Sequence, residues 1–296
     1  MSFRPIYEGW DVRGKIARRL KQSWNGLGVS NEARAVAGLA DEVSAKLRRH
    51  DLADETQIEM LAQAVAEAVL RELSDSIDDV SELPLCAHLA ECTYQLLVYE
   101  DLFLLPDFSA GAGTLTRSEL WEVEDGLKKV GRQLDNFDDV LDQLAMLLRE
   151  VIRPLIEQCS TLLVADNADS TDIRFPTSAV RTLDKLPQLV ERTMQLPFAP
   201  EFETYDLLPN LKARLKYNLI VASGGNPNDP HAAERGQKLP TKAAPMDPVQ
   251  LVDSYLGGTP LASLLDVDVP VTISQEVRFQ HHQIIAGAGH GKTQPI

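Results

Sequence analysis

From Asn31 to Ser223 apolar residues return every three or four positions, and no alternating strand pattern separates the runs. Such a rhythm puts an apolar stripe on one helix after another, and helices of that kind must bury their stripes against each other. Asn31 to His50 is rich in Ala, Leu, Glu and Arg. Between Glu55 and Ser76, residues Ile58, Leu61, Ala62, Val65, Val69 and Leu73 share one face, and Asp54 with Gln57 supplies an N-terminal cap. A third, strongly apolar helix spans Leu85 to Leu105 and closes at Pro106. The Gly-rich stretch Ser109 to Gly113 lacks a following Lys-Thr and reads as a connector. Thr116 and Glu119 form a capping box that opens a helix to Asp135. Asn136 is placed to cap the next helix, whose apolar face runs from Val140 to Leu162. Leu141, Leu144, Leu148 and Ile152 are expected to be buried there, and Pro154 is expected to kink or split the helix. Ala165 to Arg174 is polar and loop-like. Pro176 opens a helical stretch, Ser178 to Leu196, interrupted at Pro187. Asp206 to Ser223, with Leu207, Leu208, Leu211, Leu215 and Leu219 on its face, is the last long helical piece.

The character then changes. Gly224 to Pro245 is dense in Gly, Pro, Asn and Asp and reads as a flexible linker. Beyond it come two short helices, from Asp247 to Leu256 and from Leu261 to Leu265, and two strands, Val267 to Ser274 and Val277 to Ile285. The expected fold class is mainly α. A multi-helix N-terminal domain (1–223) precedes the linker (224–246), and a short β segment within 247–296 begins a P-loop NTPase core.

That last assignment rests on Ala286-Gly287-Ala288-Gly289-His290-Gly291-Lys292-Thr293, which directly follows the second strand. A phosphate-binding loop needs backbone N–H groups turned into a small bowl, which only residues with little side chain allow. Gly287, Ala288, Gly289, His290 and Gly291 would line that bowl. Lys292 would reach the β- and γ-phosphates of ATP, and the Thr293 hydroxyl would join the Mg²⁺ shell in a complete domain. Ala286 stands where the usual pattern has its first Gly.

Charge and composition narrow the remaining choices. Of the 296 residues 44% are hydrophobic, ample for a core, and the formal net charge is −15. Such a charge opposes broad, non-specific nucleic-acid binding by the chain as a whole. A local basic face is conceivable from Arg13, Lys15, Arg18, Arg19 and Lys21, then Lys46, Arg48 and Arg49, although a solvated helix surface explains the same residues. Cys86, Cys92 and Cys159 show no metal spacing, even with His88 nearby, and fit helix core in a reducing cytoplasm. No apolar run approaches a membrane span, so a cytoplasmic protein without membrane contact is expected. His281 and His282 are adjacent on a strand, point to opposite faces and cannot easily share one ion. The pairs Asp78-Asp79, Glu100-Asp101 and Asp138-Asp139 read as helix surfaces or ends.

The stretch Val267 to Ile273, then Arg278 to Ile285 with its histidines, then the loop 286–293, resembles the approach to the P-loop in ATPases of the HerA/FtsK superfamily. That group includes conjugative DNA-transfer ATPases of type IV secretion systems. The resemblance implies a motor that moves DNA with ATP and Mg²⁺, works as a homo-oligomeric ring, and meets protein partners through its helical domain. The acidic residue of Walker B would lie beyond Ile296, so this polypeptide is expected to bear no catalytic residue and not to hydrolyse ATP. Two other readings stay open. One is a stand-alone helical interaction module with a vestigial loop. The other is the sensor domain of a signalling or defence P-loop NTPase.

Overall fold

A computed structural model describes residues 31–273, apart from 75, 76, 78, 107–114, 164–172, 206, 230 and 233–235. The architecture is mainly α. In chain order the helices are α1 (Asn31–Arg49), α2 (Glu55–Leu73), α3 (Pro84–Tyr99), α4 (Arg117–Asp135), α5 (Phe137–Gln158), α6 (Leu186–Gln195), α7 (Pro209–Ala222), α8 (Pro248–Leu256) and α9 (Pro260–Leu265). Two strands, β1 (Ile173–Ser178) and β2 (Asp268–Ile273), pair antiparallel.

The helices start where their caps allow. Asp54 accepts the Gln57 N–H at 3.0 Å, and the Gln57 side chain reaches back to the Ala53 N–H at 2.6 Å. Thr116 and Glu119 form the reciprocal box: Thr116 Oγ1 accepts the Glu119 N–H at 3.3 Å, and Glu119 accepts the Thr116 N–H at 2.6 Å. Asn136 behaves differently from expectation. Its amide donates to the Arg132 carbonyl at 2.8 Å, so it closes α4 and gives no side-chain cap to α5.

Pro154 does not split α5, which runs unbroken from Phe137 to Gln158. The ring removes one helical hydrogen bond, but Val151, Ile152 and Leu155 on either side are fully buried and hold both halves to the core. Leu144, Leu148 and Ile152 are buried as expected, whereas Leu141 is only half-buried at the edge of that face. Pro187 lies in the first turn of α6 rather than interrupting a helix, the position where a missing N–H costs least.

The strand at 173–178 replaces the loop and helix start expected there. Its pairing explains why. Ile173 lies opposite Ile273 and Ser178 opposite Asp268, so the partner is far away in sequence and no local pattern announces it. Pro176 and Pro270 sit opposite each other. Both residues lack an amide donor, and sharing one rung confines that deficit to a single pair.

α2 packs on α3 and α5, α1 packs on α4, and α9 packs on α3. α8 lies between α6 and α7. One hydrophobic core runs through all of them, from Ala33 and Val36 of α1 to Leu251, Tyr255, Leu261, Leu264 and Val269. The segment 224–246, read from sequence as a linker, lies against this body where it is described. The Lys238 N–H donates to Ser223 Oγ at 2.8 Å, and Tyr255 donates its hydroxyl hydrogen to the Lys238 carbonyl at 2.9 Å. Pro240 is buried, and Thr241 Oγ1 donates to Glu191 at 2.6 Å.

Candidate functional site

The loop residues Gly287, Ala288, Gly289, His290, Gly291, Lys292 and Thr293 lie outside the described residues, as do His281, His282 and the strand expected at Val277 to Ile285. The structure describes the body that leads to them. β2 is the last described element before the loop, and two contacts beside its start fix it. The Ala179 N–H donates to the Val267 carbonyl at 2.8 Å, and Ser178 Oγ donates to Asp266 at 2.7 Å. Arg181 pairs with Asp247 at 3.2 Å, an exposed ion pair that adds little stability.

A second junction joins α7 to the turn after α8. The Asn218 amide, buried, donates to the carbonyls of Tyr255 at 3.2 Å and Gly257 at 2.9 Å. Arg214 Nε adds a bond to the same Gly257 carbonyl at 3.1 Å. Gly258 has φ of 72°, and a Cβ there would stand 2.7 Å from the Arg214 guanidinium. The tight turn and the arginine are compatible only because the position is glycine.

Glu100 is the least expected feature. It lies at the C-terminal end of α3 and is fully buried. Its carboxylate accepts the backbone N–H groups of Asn210 at 3.0 Å and Leu211 at 2.6 Å, in the first turn of α7. The Asn210 amide returns a bond to the Tyr99 carbonyl at 2.8 Å. Burial pushes the Glu100 carboxyl up to about 7, against the opposing pull of the two N–H donors and Lys129. A signal for this existed in the sequence. α7 begins Leu208-Pro209, with no Ser, Thr, Asp or Asn to cap it, so its orphan donors had to be met from elsewhere. Just past Glu100, Asp101 and Phe103 adopt φ of 53° and 59°, and the Phe103 N–H is held by Gln133 Oε1 at 3.2 Å.

The structure also gathers a cysteine, a histidine and a serine that the sequence does not associate. At the α3–α9 seam, His88 Nε2 donates to the Ser263 carbonyl at 2.9 Å, and Cys92 Sγ lies 3.6 Å from Ser263 Oγ. Ser263 Oγ donates to the Pro260 carbonyl at 2.7 Å and lies 3.2 Å from Gln95 Oε1. This is not a nucleophile with its base. Burial pushes the Cys92 thiol up to about 12, so it stays protonated. The histidine nitrogen and the serine are already engaged with backbone. Cys86 and Cys159 are likewise free and buried. Among the described residues no three His, Cys, Asp or Glu side chains gather as a metal set.

The remaining sequence candidates find ordinary surroundings. Asp79 caps the turn at Ser81, accepting its N–H at 2.9 Å, and Asp139 accepts the Tyr205 hydroxyl at 2.9 Å. Asp138 is exposed, and Asp78 lies outside the described residues. Lys46 is paired with Asp135 at 2.7 Å, whereas Arg48 and Arg49 are exposed. Arg13, Lys15, Arg18, Arg19 and Lys21 lie outside the described residues. No described helix is long and apolar enough to cross a membrane. Comparison with protein-family models, curated proteins and solved structures finds no match.

Proposed function

We propose that this chain carries the helical interaction and regulatory region of a P-loop motor ATPase that acts on DNA, joined to the beginning of its nucleotide-binding core. The observation that carries the reading is the run Gly287 to Thr293 behind a β-rich approach. β2, lying where the first of the two strands expected ahead of the loop is read, supports it. In this reading ATP sits on the backbone of 287–291, Lys292 contacts its terminal phosphates, and Thr293 contacts Mg²⁺. The helical body serves protein partners, and the assembled motor is a ring of identical chains in the cytoplasm.

The test is calorimetric titration of MgATP into the 296-residue chain and its Lys292→Ala variant. Saturable binding that disappears in the variant is the expected result. Equal binding by both chains, or none by either, would remove the nucleotide site from the reading.

A further inference from the structure

α7 is apolar on two sides. Its inner side buries Leu211, Leu215 and Asn218, while Ala213, Tyr217 and Val221 line the outer side at four-residue steps. Tyr217 is 45% exposed and Val221 47%. Phe198 is also exposed and lies beside α7, with Lys216 Nζ 5.5 Å from its ring centre. A helix normally reserves its outer side for polar residues, and an apolar line there marks a face that another molecule can cover.

The charges on α7 itself have one sign, while Glu201 and Glu203 stand exposed on either side of Phe202. α7 carries Lys212, Arg214 and Lys216 and no Asp or Glu, within a chain whose net charge is −15. Among the described residues none of the three cations is in an ion pair with a carboxylate. Lys212 Nζ rests on the Phe202 carbonyl at 3.4 Å, and Arg214 lies over Tyr217, 5.2 Å from the ring centre. The cations are thus held by carbonyls and rings at fixed positions beside the apolar line.

We infer that the outer face of α7 is a docking surface for an acidic amphipathic helix of a partner protein. Apolar side chains at four-residue spacing would lie on Tyr217, Val221 and Phe198, and flanking carboxylates would meet Lys212, Arg214 and Lys216. Two features favour such a segment over single-stranded nucleic acid. One face of each aromatic ring already carries a cation, which limits base stacking. The surrounding negative charge repels a long polyanion but hardly affects a short peptide lying within about 8 Å, the reach of screening at physiological salt. This refines the partner-binding role proposed above and rests on that part of the reading alone.

Fluorescence anisotropy on the full chain tests it. The probe is a labelled helical peptide with Leu and Phe on one side and Glu on the other. A scrambled peptide of the same composition and oligothymidylate serve as comparisons. The ordered peptide should bind more tightly than the scrambled one. K212E and K216E together should weaken it about tenfold or more, with the difference shrinking at high salt. Y217A with V221A should erase the preference over the scrambled peptide. Circular dichroism guards against unfolding, and all four side chains lie outside the core. Lys292→Ala should leave peptide binding unchanged, so failure of this inference and failure of the nucleotide reading are read separately. Equal affinity for both peptides overturns the proposal, as does tighter binding of oligothymidylate that the same variants abolish. Self-association of the chain abolished by Y217A and V221A would give the face to a second copy and overturn it too.

Discussion

Glu100 shows how much one residue can carry between elements. Its backbone closes α3 and its carboxyl caps α7, although the two contacts lie more than a hundred positions apart in the chain. Burial lifts its proton affinity from the ordinary glutamate value of 4.5 to about 7. The folded chain therefore holds a proton in that interval that the unfolded chain releases. The stability linked to this proton is full below pH 4.5 and is lost as pH rises through about 7. Each pH unit in the interval is worth at most about 1.4 kcal/mol. Denaturant titrations across it should show the wild type weakening with rising pH and Glu100→Gln nearly flat by comparison. Glu100→Ala should cost roughly 1–3 kcal/mol at pH 4.5 and below, because two buried N–H groups lose their acceptor, and the cost should shrink as pH rises toward 7. A wild-type chain with no such slope would show that the carboxyl titrates normally. From sequence this residue read as one of an acidic pair at a helix end. The helix was legible, but it was read to Leu105 and stops at Tyr99, and neither that end nor the burial could be read locally because the partner helix is far away in the chain.

At the scale of the element, helix faces and caps were the legible part. The apolar steps on α2 and α5 mark the sides that the structure buries, and the box at Thr116 and Glu119 opens α4 where the residues indicate. Leu148→Ala should therefore cost roughly 2–5 kcal/mol in a denaturant melt, since a fully enclosed side chain leaves a cavity. Leu141→Ala should cost clearly less, because the site is open to solvent on one side. Equal losses would mean that the face of α5 is misassigned. Thr116→Ala should cost about 1 kcal/mol through the lost cap. What escaped local reading has a common cause. β1 depends on a partner far along the chain, Asn136 serves the helix behind it, and Pro154 is tolerated because its neighbours are buried. In each case tertiary contact outweighs the preference of the segment.

For the whole molecule, the division of the chain at residue 247 does not divide the core. α8, α9 and β2 share one hydrophobic interior with the helices before them. A chain ending at residue 246 should then melt about 10 °C or more below the full chain, since it uncovers α3 and α6. An unchanged midpoint would show that the helices stand alone. The phosphate loop, by contrast, is a reading of residue type and spacing alone, and its residues lie outside the described ones. The exposed apolar strip on α7 could not be read locally, since an apolar residue in a helix announces a side but not whether anything already covers it. The ladder between β1 and β2 has a mechanical consequence. β2 leaves it at Ile273, beside Ile173, whereas β1 enters the helical body at the other end, after Ser178. A tug on residue 273 along the strand therefore slides the two strands past each other, so every rung resists together. The same force applied across the pair would open them one rung at a time. Any displacement arising beyond residue 273 and directed along the strand would reach the helices as a single stroke.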